Sequence, residues 1–202
     1  MNEQIIEHYL KDAIECFRSY KELAEKAMAQ VSDEEFFHAI DAEANSIATI
    51  VKHIGGNLRS RWTDFLTSDG EKADRQRDSE FVADDDTRDG LMRFWENGFR
   101  ILFDSLLSLT AEDLGKIVQI RGEDHTVVKA VNRAMMHTAS HIGQITFLAK
   151  HFRSADWETL SIAKNKSVDF NADLTEKQKV KTEKVSHFEV PPEFAEQANL
   201  EE

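Results

Sequence analysis

The chain has 202 residues, 41% of them hydrophobic, which predicts one domain with a single core. Its net charge is −13, with 38 acidic against 25 basic residues, so no basic face for nucleic-acid phosphate is expected. No segment approaches the ~18 uncharged apolar residues of a membrane span, and the first residues do not resemble a signal peptide. We therefore expect a cytoplasmic protein that binds neither nucleic acid nor membrane.

The first 190 residues contain no proline, which favours long helices. Apolar residues recur at steps of three and four over residues 4–31 and predict the first helix. The chain has one cysteine, Cys16, which lies in this helix and cannot form an internal disulfide. We predict it to be a small buried side chain. The run from Ser32 to Glu35 has the pattern of a capping box that opens a short helical turn.

The second helix is predicted over residues 42–65. Gly55 and Gly56 lie in its middle, where each costs about 1 kcal/mol relative to alanine, so a neighbour or ligand should approach closely there, or the helix should kink. Residues 67–87 lose the periodic pattern and are long for a connection between antiparallel neighbours, which favours a crossover between parallel helices. Two interpretations of this segment remain open, a solvated loop and a loop over the mouth of a site.

The third helix is predicted over residues 88–108 and the fourth over residues 126–152, where Ala130 and Ala134 are small enough for close helix packing. A short extended segment or hairpin is expected over 115–124, with its turn at residues 121–124. Four long amphipathic helices predict an all-α fold, a four-helix bundle over residues 1–164. Residues 165–202 are charged and lack a long apolar period, which predicts an irregular, extended or disordered tail.

His137 and His141 are four residues apart in the fourth predicted helix, so both imidazoles point to one side. Gln144 follows on the same face one turn later. Such a pair can chelate one metal ion if a third ligand comes from elsewhere in the fold.

The second predicted helix offers that third ligand in His53, at the edge of its apolar stripe. Asn57 and Arg61 follow on nearly the same face, so a polar line runs beside the apolar one. Three histidine ligands would leave open coordination positions, as in catalytic rather than structural zinc sites. The residues alone leave a second interpretation open, in which these histidines are hydrogen-bonded core residues.

No competing catalytic pattern is present, since the chain lacks a phosphate-binding glycine loop, a Cys-x-x-Cys pair and a Gly-x-Ser-x-Gly elbow. The Glu-x-x-His pattern of di-iron bundles is absent at both histidines of the fourth helix. Four glutamates of the predicted helices are candidates to face the core: Glu7, Glu15, Glu43 and Glu96.

Three elements together resemble the DinB-like (YfiT-like) superfamily: His53, the run from Gly56 to Lys72, and His137-x-x-x-His141 followed by Gly143-Gln144. Within the superfamily, the chain is similar to a branch described only as a domain of unknown function, over about residues 1–165. The resemblance implies a four-helix bundle in up-down-down-up order and a likeness to proteins that form homodimers. It also implies one divalent metal ion, zinc or nickel, held by His53, His137 and His141.

The resemblance further implies a metal-dependent enzyme acting on a small-molecule substrate or a thiol, either a thiol S-transferase or a hydrolase. Asn57, Arg61 and Gln144 would then support the metal ligands or orient the substrate. The alternative is a non-catalytic metal-binding or protein-interaction module.

Overall fold

The computed structural model describes residues 3–186, and within them the chain forms six α-helices and one two-stranded sheet. The helices are α1 (Glu3–Met28), α2 (Asp33–Phe37), α3 (Ile47–Trp62), α4 (Arg88–Ser108), α5 (Val127–Arg153) and α6 (Ser167–Ser186); the strands are β1 (Ile117–Ile120) and β2 (Glu123–Thr126). The chain divides into two compact units, Met1–Glu158 and Thr159–Glu202, with α6 in the second unit.

The described chain is mostly helical, which confirms the predicted all-α class, with one small sheet added. In the first unit, α3 packs against α4 and α5, and α1 packs against α5. The up-down-down-up order of a four-helix bundle stays a prediction. No described helix is long and apolar enough to cross a membrane.

The second predicted helix is shorter than its apolar pattern indicated, because a side-chain cap fixes its start and the backbone leaves the helical conformation after Trp62. Ser46 accepts a hydrogen bond from the Thr49 amide and begins α3 at Ile47, while Asp41 caps a separate turn before it. After Trp62 the chain leaves the helix through extended Thr63 and Asp64, whose φ of 49° lies in the left-handed region.

The core is aromatic and is supplied mainly by the long helices. Its largest fully buried side chains include Phe17 of α1, Phe36 of α2, and Trp95 and Phe99 of α4. Cys16 lies beside Phe17 at the edge of the α1 stripe and is exposed, so the predicted burial of this cysteine is wrong.

The close approach predicted at the glycine pair of α3 is present. A Cβ at Gly98 of α4 would lie 3.0 Å from the Gly55 carbonyl oxygen and 3.1 Å from the Gly55 Cα. A Cβ at Gly55 would in turn lie 2.7 Å from the Phe94 ring. These two glycines therefore let the backbones of α3 and α4 approach closely.

The predicted extended segment is a hairpin of two antiparallel strands, paired from Ile117 with Thr126 to Ile120 with Glu123. Arg121 and Gly122 form its two-residue turn, with φ values of 57° and 72°. Positive φ at both positions is typical of the type I′ turn, which matches the twist of a hairpin. Thr126 then caps α5 by accepting a hydrogen bond from the Lys129 amide.

The predicted extended or disordered tail is wrong over residues 167–186, where the second unit forms α6. This segment contains neither proline nor glycine and has four lysines and two glutamates, which favour a helix without an apolar stripe. The rest of the predicted tail, residues 187–202, lies outside the described residues.

We predict that Gly98→Ala lowers the free energy of unfolding by about 1–3 kcal/mol, because the new methyl group meets the α3 backbone, which cannot rotate away. Gly143→Ala in α5 is the matched control, because its Cβ meets nothing within 4 Å. The control should gain about 0.5–1 kcal/mol from helix propensity. Urea denaturation measures both; equal effects of the two substitutions would contradict the close packing of α3 on α4.

Candidate metal centre

Helices α3 and α5 bring together the three histidines predicted to bind a metal. His53 comes from α3, and His137 and His141 come from successive turns of α5. One ring nitrogen from each residue lies within 4.8 Å of the other two, and His53 Nε2 is 3.2 Å from His137 Nε2. Nitrogens sharing a tetrahedral zinc ion at about 2.0–2.1 Å are about 3.3 Å apart, so this cluster can hold a metal ion.

His53 is held from behind by Glu80, which the sequence analysis did not select. Its Nδ1 lies 2.9 Å from Glu80 Oε2, and both side chains are buried. The guanidinium of Arg75 donates to both oxygens of the same carboxylate, each at 2.8 Å. A carboxylate that accepts from His53 Nδ1–H leaves Nε2 with its lone pair directed at the cluster.

Glu80 reaches His53 because α3 has a glycine where the carboxylate passes. A Cβ at Gly56 would overlap the Glu80 carboxylate. Phe81, the next residue, places its ring 4.8 Å from the His53 imidazole and restrains it on another side. The glycine pair thus has two functions, since Gly55 admits α4 and Gly56 admits Glu80.

The segment that carries Glu80 is the long irregular connection between α3 and α4. It contains a 3₁₀ turn, Arg77–Phe81. Lys52 of α3 holds the part of the connection that follows this turn. Lys52 Nζ donates to the Val82 carbonyl and to Asp86 Oδ2, both at 2.6 Å. The connection therefore packs against the histidine cluster through Glu80, and the interpretation of this segment as a loop over the mouth of a site stays a prediction.

His141 is oriented by the glutamine predicted beside it. His141 Nδ1 lies 2.9 Å from Gln144 Oε1, so an Nδ1–H that donates to this oxygen leaves Nε2 unprotonated. Gln144 is exposed and His141 is half-buried, so this part of the cluster is the more accessible one.

The electrostatics of the cluster suit metal binding. Burial lowers the pKa of His137 to about 3, with further lowering by the charges of His141 and His53. Burial also lowers the pKa of His141, against the opposing hydrogen bond with Gln144. For Glu80, burial alone would raise the pKa, but the hydrogen bonds from His53 and Arg75 outweigh it and lower the pKa. Neutral imidazoles beside an ionised carboxylate are the protonation states that a metal requires.

The donor set also passes a test of fit. Because ionised Glu80 only accepts, His53 donates to it through Nδ1, and its Nε2 lies 3.2 Å from His137 Nε2. Two facing imidazole nitrogens at that distance share either a proton or a cation. A divalent ion bound by both imidazoles would take the place of the proton.

A cavity adjoins the cluster on the side of the hairpin and is lined by His137, Asn57 and Arg61. Asn57 is half-buried and Arg61 is only 6% exposed, which agrees with the polar line predicted on α3. Arg61 Nη2 donates to Glu71 Oε2 at 3.0 Å. Burial lowers the pKa of Arg61 to about 10, partly offset by Glu71, so the guanidinium is charged at neutral pH.

Asp69 joins the loop to the hairpin turn next to the cavity. Its carboxylate accepts from the Glu71 and Arg121 amides at 2.7 and 2.8 Å and from the Gly122 amide at 2.7 Å. The adjacent Gly70 amide donates to the carbonyl of Gln119 in β1 at 2.8 Å. These contacts fix the position of Gly70, which lines the cavity.

Periodicity is the reason that the sequence analysis found the histidines and missed Glu80. The histidines lie on helices, where spacing determines the face, whereas Glu80 lies in a segment without a period. The four glutamates selected from helices, Glu7, Glu15, Glu43 and Glu96, are all exposed. The local sequence signal that could have indicated Glu80 was Gly56. This glycine lies inside a helix, and the side chain that approaches it is Glu80 rather than a residue of a packed helix.

Residues 4–166 match a sequence family described as a protein of unknown function, DUF1572. The chain belongs to the DUF1572 family. The matched residues include all three histidines, Glu80 and the cavity. No curated protein and no solved structure matches this DUF1572 protein.

We predict that Asp69→Ala lowers the free energy of unfolding by about 1–2 kcal/mol, because three backbone amides lose their acceptor on a part of the surface open to solvent. Amide hydrogen exchange at Arg121 and Gly122 should accelerate. Asp74→Ala, an exposed aspartate of the same loop, is the control and should change neither quantity.

The Asp69 contribution should also depend on pH. Hydrogen bonds from the amides, that of Glu71 foremost, hold its pKa below 3.8 in the folded state. The stabilisation is therefore present above 3.8 and is lost as the pH falls through the lower, folded-state pKa. A wild-type and an Asp69→Ala protein that lose stability in parallel below pH 4 would contradict this role.

Proposed function

We propose that this DUF1572 protein is a divalent-metal-dependent enzyme whose metal ion is held by His53, His137 and His141. The supporting observation is the convergence of three imidazole nitrogens within 4.8 Å, with Glu80 bonded to the outer nitrogen of one of them. A buried carboxylate behind a ligating histidine is a common feature of protein metal sites.

Each side chain has a defined task in this proposal. Glu80 fixes the tautomer and the orientation of His53, and Arg75 keeps Glu80 ionised and in position. Gln144 does the same for His141. With three protein ligands, the bound ion would supply Lewis acidity at open positions towards a thiol or a water molecule.

The finer proposal is a member of the DinB-like superfamily that catalyses thiol S-transfer or hydrolysis. Among the described residues, no aspartate or glutamate lines the cavity, and both oxygens of Glu80 accept hydrogen bonds from Arg75. A general base for water is therefore not evident there. A thiol ionises near pH 8.5 and needs less assistance than water, which favours thiol transfer.

Imidazole ligands suit zinc and nickel, which we propose as the metal in line with the superfamily resemblance. We also propose a homodimer, for which the exposed apolar side chains of Met136 and Phe147 on α5 offer a surface. The cytoplasmic location stays a prediction.

A second candidate is a non-catalytic metal-binding or protein-interaction module. The absence of a free carboxylate from the described cavity lining favours it as well, because a binding module requires no acid or base. Turnover of a thiol substrate by the metal-loaded protein, and none by the metal-free protein, would eliminate this candidate.

We predict that purified protein loaded with zinc or nickel and then desalted retains about one ion per chain, because three neutral imidazoles bind it. His141→Ala should retain less than a tenth of that metal while keeping its helical circular dichroism. His151→Ala, which removes an exposed histidine from the same helix, should load fully. Plasma mass spectrometry measures the ratio; equal loading of the two variants would contradict the proposed site.

We predict that Glu80→Gln weakens metal affinity by about 10–100-fold, because the amide keeps the shape of the carboxylate but not its charge behind His53. The control is Asp78→Asn, the same change at an exposed position of the same 3₁₀ turn. Competition with a fluorescent zinc chelator measures both affinities. An unchanged affinity in Glu80→Gln would remove Glu80 from the site.

A further inference from the structure

We infer that the cavity beside His137 is a carboxylate-binding subsite, in which Arg61 and Arg133 hold the anionic end of a small ligand. That the ligand is a substrate rests on the proposed function. The binding of a carboxylate does not, because it follows from the cavity itself.

The first observation is a buried guanidinium with unused donors. Arg61 is 6% exposed and lines the cavity, and its Nη2 is paired with Glu71. Its Nε and Nη1 are also buried, and no acceptor among the described residues receives their hydrogen bonds. An unpaired buried donor on a charged group is costly, so the Nε–H and Nη1–H groups, which lie on either side of the paired Nη2, are each suited to a ligand atom that accepts a hydrogen bond.

A second unpaired donor belongs to another residue that lines the cavity. The indole Nε1 of Trp62, the next residue of α3, is buried and likewise lacks an acceptor in the described part of the chain. Trp62 is only 3% exposed. Buried indole N–H groups usually have a partner, so two adjacent residues that line this cavity carry buried donors without an acceptor among the described residues.

The described residues that line the cavity include two arginines, Arg61 and Arg133, and no carboxylate. Glu71 is the carboxylate that contacts Arg61, and the same carboxylate also accepts from Arg75 and Arg121, at 3.2 and 3.1 Å. Arg133 of α5 is exposed and also lines the cavity. An anion would therefore complete the pairing of Arg61 and Arg133.

The size and the walls of the cavity favour a carboxylate over a phosphate. The cavity has an empty volume of about 370 Å³, which includes the part open to solvent. Only about 20 Å³ of this volume is wide enough for the centre of a water molecule. Phe65, Ile120, Ala130 and Ala134 form apolar walls. A planar, singly charged group fits such a narrow and partly apolar site at a lower desolvation cost than a tetrahedral dianion.

The position of the cavity relates this subsite to the metal centre. His137 belongs to the histidine cluster and also lines the cavity. A ligand with its carboxylate on Arg61 would therefore lie beside His137, next to the histidine cluster. The substrate class that follows is a small carboxylic acid with its reactive group a few atoms from the carboxylate.

The test is a titration of the full-length, ¹⁵N-labelled protein with sodium acetate and sodium succinate at constant ionic strength. We expect saturable shifts of the Trp62 indole N–H and Arg61 Nε–H resonances in both the metal-free and the zinc-loaded protein. Acetamide, which has the same shape without the charge, should cause no saturable shift. Tighter binding of inorganic phosphate than of acetate would contradict the choice of carboxylate.

Three variants assign the binding. Arg61→Met should weaken acetate binding about tenfold or more, and Arg133→Gln should weaken it several-fold, because each loses a charge-assisted hydrogen bond. Arg59→Gln removes an exposed charge from the same helix and should have no effect. If Arg61→Met does not fold, the wild-type Arg61 Nε–H resonance and Arg133→Gln still decide the outcome.

Two results would overturn the inference: shifts that do not saturate in the wild-type protein, or equal weakening by Arg59→Gln and Arg133→Gln. Failure of the metal proposal is a different outcome, namely acetate binding in a protein that retains no zinc. Conversely, full zinc loading without acetate binding would leave the metal centre standing and remove the subsite.

Discussion

The hydrogen bond between His53 and Glu80 is the interaction on which the rest of the site depends. It joins α3 to the long connection before α4 and fixes which nitrogen of His53 faces the two histidines of α5. It is also costly, since it buries a carboxylate at 7% side-chain exposure, a cost that Arg75 offsets by donating to both oxygens. Replacement of a buried ion pair by packed apolar residues is often neutral or stabilising, so its presence here fits the proposed role of Glu80 at a metal site.

The glycine pair of α3 makes this interaction possible. Helix propensity opposes two adjacent glycines in a helix interior, and here each glycine admits a different neighbour. Gly55 lets α4 pack closely, which positions both ends of the connection between the helices, and Gly56 leaves room for the Glu80 carboxylate that the connection carries. The packing of two helices and the chemistry of the site are therefore linked through two residues without side chains.

The sequence predicted what periodicity and spacing encode. The helices, the hairpin turn, the shared face of His137 and His141 and the position of His53 all follow from patterns of 3.6 or two residues. Glu80 could not be predicted in this way, because its segment has no periodic pattern and its partner His53 lies 27 residues away along the chain. For Arg61, the sequence predicted only the helix face on which it lies. Its unpaired donors depend on tertiary packing that no local pattern encodes. The wrong prediction of an irregular tail at residues 167–186 has the opposite cause. This helix has residues of good helix propensity but no apolar stripe.

The central claim is that one divalent ion binds to three imidazoles, with Glu80 behind one of them. A crystal structure of the zinc-loaded protein, with anomalous diffraction data collected on both sides of the zinc absorption edge, tests it most directly. The account predicts one anomalous peak at about 2.0–2.1 Å from a nitrogen of each of His53, His137 and His141, with the Glu80 contact to His53 retained. A peak that contacts fewer than two of these histidines, or none at this cluster in protein that retains zinc, would contradict it.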